Sequence, residues 1–177
     1  PEPAPEPRAP TPPPPEPVFE TVEEIAPVPD TATIRNVDGS SILHIRESER
    51  SDSGIYLVTV KVGDNEVSAR IDVAVVDVPS KVIKPTIKEV IGTAVCLEWK
   101  APKDDGNTEI IGYTVEKRTK RHGKDGDWYI CHDKVRHKQC QVQDLIVGNE
   151  YEFRIRAFNE VGIGPEAITK NFANITK

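Results

Sequence analysis

From Thr31 onward, apolar residues recur at every second position, and no segment of the chain sustains a 3.6-residue period. Leu43 and Ile45 share one face of residues 41–46, and the polar run 47–54 then turns the chain. Tyr56, Val58, Val60 and Val62 alternate with Leu57, Thr59 and Lys61. Residues 63–65 reverse direction, and Val67, Ala69, Ile71, Val73 and Val75 alternate with Ser68, Arg70, Asp72 and Ala74. That pattern predicts a hairpin with one apolar face. A short join at residues 77–81 follows. Strand signals then return at Val95, Leu97 and Trp99, at Tyr113 and Val115, at residues 128–132, and at Cys140 and Val142. The last two are Tyr151, Phe153, Ile155 and Ala157, and residues 167–172. Regular strands separated by polar turns predict an all-β sandwich.

Composition adds a division within the 177 residues. Residues 1–30 hold 12 of the 16 prolines and seven acids against one base, Arg8. Residues 31–177 hold 22 acids and 22 bases. The first part is expected to be a disordered acidic arm in polyproline II conformation, a spacer or a short docking motif. Arg8 is not at the offset of an SH3 ligand, and Pro-Pro-x-Tyr does not occur. A neutral body is a poor general binder of polyanions. The longest apolar runs fall far short of the ~20 residues a membrane helix needs. The sequence has no Met and no apolar leader, which suggests a fragment or a processed product.

Catalytic and metal chemistry finds little support. Gly-x-Ser-x-Gly, His-Glu-x-x-His and a glycine-rich phosphate loop are all missing from the sequence. Asp104-Asp105 is read as turn chemistry, because calcium would need more oxygen ligands. Cys131, His132, His137 and Cys140 have irregular spacing for zinc. No cofactor and no metal site are therefore expected. Cys96, Cys131 and Cys140 are an odd set without a Cys-x-x-Cys pair, which reads as reduced thiols in a cytosolic protein. Asn174-Ile175-Thr176 is a glycosylation sequon that would matter only in a secreted chain.

The strongest surface feature is basic. Lys117, Arg118, Lys120, Arg121, His122 and Lys124 crowd one hairpin, and Lys134, Arg136, His137 and Lys138 follow in the next connection. Two readings stand: a solvated hairpin tip, or an electrostatic dock for an acidic surface. Nucleic acid is not expected, since neither a recognition helix nor an aromatic stacking platform accompanies the charge.

Asp52-x-Gly54-x-Tyr56 after Leu43-x-Ile45 resembles the E–F region of an intracellular immunoglobulin domain. In that family the tyrosine hydroxyl closes the turn before strand F. Val58 stands where the disulfide cysteine would sit. Residues 83–172 resemble a fibronectin type III domain. The motif residues are Trp99, the run from Asp104 to Asn107, Gly112-Tyr113-x-Val115-Glu116, Leu145-x-x-Gly148-x-x-Tyr151-x-Phe153-Arg154, Ala157-x-Asn159 and Gly162-x-Gly164-Pro165. The resemblance implies a structural core of Tyr56, Trp99, Tyr113, Leu145, Tyr151 and Phe153. Trp99 would lie between the sheets, Leu145 would plug the E–F corner and Tyr151 would supply a corner hydroxyl.

The order of modules is similar to that of sarcomeric immunoglobulin and fibronectin proteins, above all the myosin-binding protein C and H family, with titin and its relatives next. It implies a non-enzymatic module of striated muscle in the cytoplasm, at the thick filament of the A-band. Its partner would be the myosin rod, with titin or actin as further partners and neither nucleic acid nor membrane. The dock would comprise Lys117, Arg118, Lys120, Arg121, Lys124, Arg136 and Lys138. The alternative is a fragment of a cell-surface adhesion protein or receptor built from the same folds. The expected organisation is an arm at 1–29, a partial immunoglobulin-like domain at 30–78 holding strands D/E to G, a linker at 79–84 and a fibronectin domain at 85–177. The immunoglobulin part departs from its family, because strands A, B and C are missing. Its inner face of Leu43, Ile45, Tyr56, Val58, Ile71 and Val73 would be left in water, forfeiting on the order of 10 kcal/mol.

Overall fold

A computed structural model describes residues 25–37, 40–62, 64–121 and 124–176. The expected arm falls almost wholly outside them. Twelve strands are seen among the described residues. β1 (Ala32–Val37) and β2 (Ser40–Ile45) form one antiparallel hairpin, and β3 (Gly54–Val62) and β4 (Asn65–Val73) form another. A 3-10 turn at Arg50–Asp52 separates them. Tyr56 is buried, and its hydroxyl donates to the Asp52 carbonyl at 2.6 Å, which closes the turn ahead of β3. This corner agrees with the C-terminal half of an immunoglobulin sandwich. Of the other residues on the expected inner face, Leu43, Val58 and Ile71 are exposed, as are Val60 and Val67, whereas Ile45 and Val73 are half-buried.

The second part is a two-sheet sandwich. β5 (Ile83–Ile91), β6 (Ala94–Lys100) and β9 (Gln139–Val142) make one sheet. β8 (Tyr129–Val135), β7 (Gly112–Lys120) and β10 (Glu150–Phe158) make the other, with β11 (Ala167–Ile168) and β12 (Ala173–Asn174) both pairing on β10. Alternation along β6, β7 and β10 turns Val95, Leu97, Trp99, Tyr113, Val115, Tyr151, Phe153 and Ile155 inward, and all are buried. Trp99 meets Tyr113 edge to face at 5.3 Å, a geometry that places the positive ring edge on the negative face. Leu145 is buried where β9 leaves the sheet, and its amide donates to the Thr93 carbonyl at 3.0 Å. The Tyr151 hydroxyl accepts from the Ile146 amide at 3.2 Å.

The last strand differs from its expected form. Residues 167–172 predict one strand, whereas two short pieces form. Between them the buried Thr169 hydroxyl takes the Phe153 amide at 3.3 Å, so a side chain does part of the ladder's work. β8 is also longer than the sequence implies and begins after Trp128.

Candidate functional site: basic surface and junction

β7 and β10 run antiparallel with Arg118 opposite Glu152 and Glu116 opposite Arg154. The parity that buries Tyr113 and Val115 sends Glu116, Arg118 and Lys120 to the outer face. Cross-strand neighbours on one face lie close enough to pair. Arg118 reaches Glu152 at 2.6 Å and Asp125 at 3.3 Å. Arg154 holds Glu116 at 2.6 Å and Glu166 at 2.7 Å. Lys120 binds Asp125 at 2.7 Å, and this hydrogen bond lowers the Asp125 pKa from the ordinary carboxylate value. Hydrogen bonding to Glu116 likewise raises the Arg154 pKa. The Trp128 ring carries two cation–π contacts, with the guanidinium carbons of Arg118 and Arg154 each 4.6 Å from its centroid. This is a ladder of alternating charge with an indole stacked into it, and Glu116 and Glu152 are themselves buried beneath it.

The ladder divides the basic cluster that the sequence suggests. Arg118 and Lys120 are half-buried and committed to acids of the same chain. The Lys117 ammonium lies 5.8 Å from the centroid of the Tyr151 ring. Arg121 and Lys124 are exposed at the hairpin tip, while His122 lies outside the described residues.

Arg136 and Lys138 stand elsewhere. They line an open groove with Lys103 and the turn from Asp104 to Asn107. The groove continues past Trp99, Lys100 and His137 to Lys88, where its volume is about 680 Å³, and then reaches Lys84. Lys88 is paired with Glu98 at 2.9 Å. Lys84, Lys100, Lys103, Arg136 and Lys138 have no ion pair among the described residues. Lys84 has φ +48 beside Pro85, where β5 slips its register against β6. A proline at a bulge forgoes a ladder bond that the bulge has already broken.

The Asp104-Asp105 turn does more than reverse the chain. Arg50, in the 3-10 turn before β3, donates to the Asp104 carboxylate and lies 3.9 Å from Asp77. That hydrogen bond, reinforced by the Gly106 amide, holds the Asp104 carboxyl below its ordinary pKa. The Asp77 amide donates to the Gly106 carbonyl at 2.8 Å, and the Ser80 amide to the Asp104 carbonyl at 2.9 Å. Asn107 Nδ2 donates to the Val75 carbonyl at 3.0 Å. The residues after β4 are thereby hydrogen-bonded along the turn between β6 and β7. Sequence reasoning missed this junction, because Asp, Gly and Asn serve a free turn and a clasped one equally well.

Cys96, Cys131 and Cys140 are free thiols. Burial raises the Cys131 pKa, and Cys140 is pushed up to about 12 by burial, with Cys131 and Cys96 adding to the effect. Neither is a ready nucleophile, since the thiolate is the reactive form. A His132 ring nitrogen lies 3.0 Å from the Gln141 carbonyl. Among the described residues no group of His, Cys, Asp and Glu is arranged to hold a metal ion.

A three-stranded sheet packed on a sheet centred on β10 and β7, with Trp99 between them, defines a fibronectin-type sandwich. The family described as "Fibronectin type III domain" matches residues 77–170, and the chain belongs to it. Myosin-binding protein C, fast-type, of Homo sapiens is 41% identical over 145 residues, which are 81% of this chain and 12% of that protein. Myosin-binding protein H of Homo sapiens is 40% identical over 146 residues, 82% of this chain and 30% of that protein. The chain thus spans only a minor part of these relatives. A crystal structure of titin domains superposes with a TM-score of 0.65 at 23% identity, covering 83% of this chain and 49% of the other, which speaks for the fold alone.

Proposed function

We propose that the chain is a non-enzymatic structural module of the striated-muscle sarcomere that docks on the acidic coiled-coil rod of myosin in the thick filament. The observation that carries this reading is the groove running from Lys84 to Arg136, whose five unpaired bases face solvent, whereas the bases of the ladder are committed to acids of the same chain. The names of the relatives support myosin as the partner, and the sandwich at about 40% identity supports a sarcomeric setting in the A-band. Titin and actin are secondary partners in the same proposal. The chemistry is electrostatic: exposed charges act over about 8 Å at physiological salt, so attachment weakens as salt rises.

The experiment is co-sedimentation with myosin filaments at low and raised salt. Reversing Lys100, Lys103, Arg136 and Lys138 to Glu should abolish binding at low salt, whereas reversing Arg121 and Lys124 should reduce it only slightly. Retained binding by the groove variant at low salt overturns the reading.

A further inference from the structure

β3 and β4 are the two longest strands of the first part, nine residues each, and β3 has β4 as its partner on one side. Among the described residues its other edge meets only an isolated bridge between Ile25 and Ile55, in which the Ala26 amide donates to the Ile55 carbonyl at 2.8 Å. Backbone groups alternate between the two edges of an antiparallel strand. If the Ile55 carbonyl points away from β4, then the groups of Leu57, Thr59 and Lys61 do so too. Nothing among the described residues takes them. The strand has no proline and no bulge, and Lys61 is its one charge. Apart from Lys61 near its end, nothing within the strand blunts the edge in the ways that natural edge strands are blunted. The adjoining face is apolar and wet, with Val58 at 38%, Val60 at 58% and Val67 at 71% exposure.

We infer that β3 pairs antiparallel with β3 of a second copy of this chain about a two-fold axis through Thr59. The register follows from the free groups. With Thr59 opposite Thr59 of the second copy, Leu57 lies opposite Lys61 and Lys61 opposite Leu57, so every free edge residue finds a partner. The Ile55 carbonyl, already occupied, falls outside the paired stretch. No like charges oppose each other, whereas sliding two residues further along the strand would set the two Lys61 side chains face to face. On the apolar face Val58 meets Val60 of the second copy, and Tyr56, Val58 and Val60 become continuous with their symmetry mates. The result is the four-stranded order β4-β3-β3-β4. Two strands alone are marginal in water, and three or more with an apolar face are needed for stability. A symmetric, self-complementary edge is the kind of surface that closes as a dimer.

The test is sedimentation velocity of the full chain at micromolar concentration, with Thr59→Lys, Thr59→Glu and their equimolar mixture. Thr59 is exposed and outside the fibronectin sandwich, so tryptophan fluorescence should show that part intact in every sample. Wild type should sediment as a dimer. Each single variant should associate about tenfold more weakly or worse, because like charges then meet on the axis. The mixture should restore the dimer. A monomeric wild type overturns the inference, as does a dimer indifferent to both variants or a mixture that stays monomeric. A wild type that dimerises only after residues 1–24 are removed also overturns it, and gives the edge to the chain's own N-terminal segment.

Discussion

The side-chain amide of Asn159 donates to the main-chain carbonyl of Asp77 at 2.7 Å, across 82 positions of sequence. The same nitrogen donates to the Asp105 carbonyl at 2.9 Å, and Asn159 Oδ1 accepts the Val161 and Gly162 amides at 2.9 and 3.2 Å. One buried side chain thus ties the end of β10, the β6–β7 turn and the segment after β4 together. Asn159→Asp keeps the shape but removes both donors. It should cost about 1–3 kcal/mol, since the Asp77 and Asp105 carbonyls lose their donor and face a carboxylate instead. Chemical denaturation checks the value.

Gly106 belongs to the same junction. It has φ +84, and a Cβ there would collide with the Asp77 carbonyl oxygen and stand 2.7 Å from its carbon. Gly106→Ala therefore suffers twice, from a left-handed backbone and from a backbone neighbour that cannot step aside. A loss of about 1–3 kcal/mol is expected. Hydrogen exchange should quicken at the Asp77 amide, which donates to Gly106. Unchanged exchange there would mean that the junction does not rest on this contact.

Trp99 and Trp128 should separate cleanly. Trp99 is buried in the core, so Trp99→Ala should cost roughly 3–5 kcal/mol through the cavity it leaves. Its Nε1 has no hydrogen-bond partner, so Trp99→Phe sacrifices volume but no bond and should be milder. Trp128 is half-buried and in contact with two guanidinium groups, and Trp128→Ala should cost about 1–2 kcal/mol in lost cation–π contact. Equal losses at Trp99 and Trp128 in urea denaturation would contradict this assignment of core and surface.

Alternation made the fold legible. Val95, Leu97, Trp99, Tyr151, Phe153 and Ile155 announce their strands and their inward face directly, and the Tyr56 and Tyr151 corners follow from family motifs. The basic site was legible only as composition. Lys117, Arg118 and Lys120 fall within four positions of sequence, yet parity sends Lys117 to one face and the other two to the opposite face. Their partners Glu152 and Glu116 become visible only once β7 is registered against β10. The groove was hidden for the opposite reason. Lys84, Lys100, Lys103 and Arg136 are scattered along the chain and gather only where β6, β9 and the β6–β7 turn converge.

Asp104 sets an acid limit on the junction. Its folded pKa lies below the ordinary value of 3.8, chiefly through the hydrogen bond from Arg50. A lowered carboxylate pKa contributes stability above the unfolded value, and this is lost as pH falls through the folded one. The contribution should be constant above about pH 5 and decline below the ordinary carboxylate range. Arg50→Ala should return the Asp104 pKa toward its ordinary value, read by carboxyl chemical shifts during an acid titration. A titration midpoint identical in wild type and Arg50→Ala would show that the ion pair does not persist in solution.

Charge reversal on the ladder should behave unlike charge reversal in the groove. Arg118→Glu sets a new carboxylate against Glu152, which is 8% exposed, and removes one of the two cation–π contacts of Trp128. Lys120→Glu does the same to Asp125. Removing one partner of a buried pair costs up to 3–5 kcal/mol. The Arg118 side chain is 22% exposed, so about 2–3 kcal/mol is expected for Arg118→Glu, with a clear fall in melting temperature. Arg136→Glu and Lys138→Glu break no ion pair and should shift stability by about 0.5 kcal/mol or less. Thermal unfolding of the two pairs of variants, followed by circular dichroism, makes the comparison. The distinction bears on every binding experiment, because a ladder variant that loses a partner has also lost part of its sheet face. A groove variant that loses the partner has lost only charge. If the ladder variants melt with the wild type, the ion pairs around Trp128 are surface decoration, and Arg118 and Lys120 return to the set of bases free to meet an acidic filament.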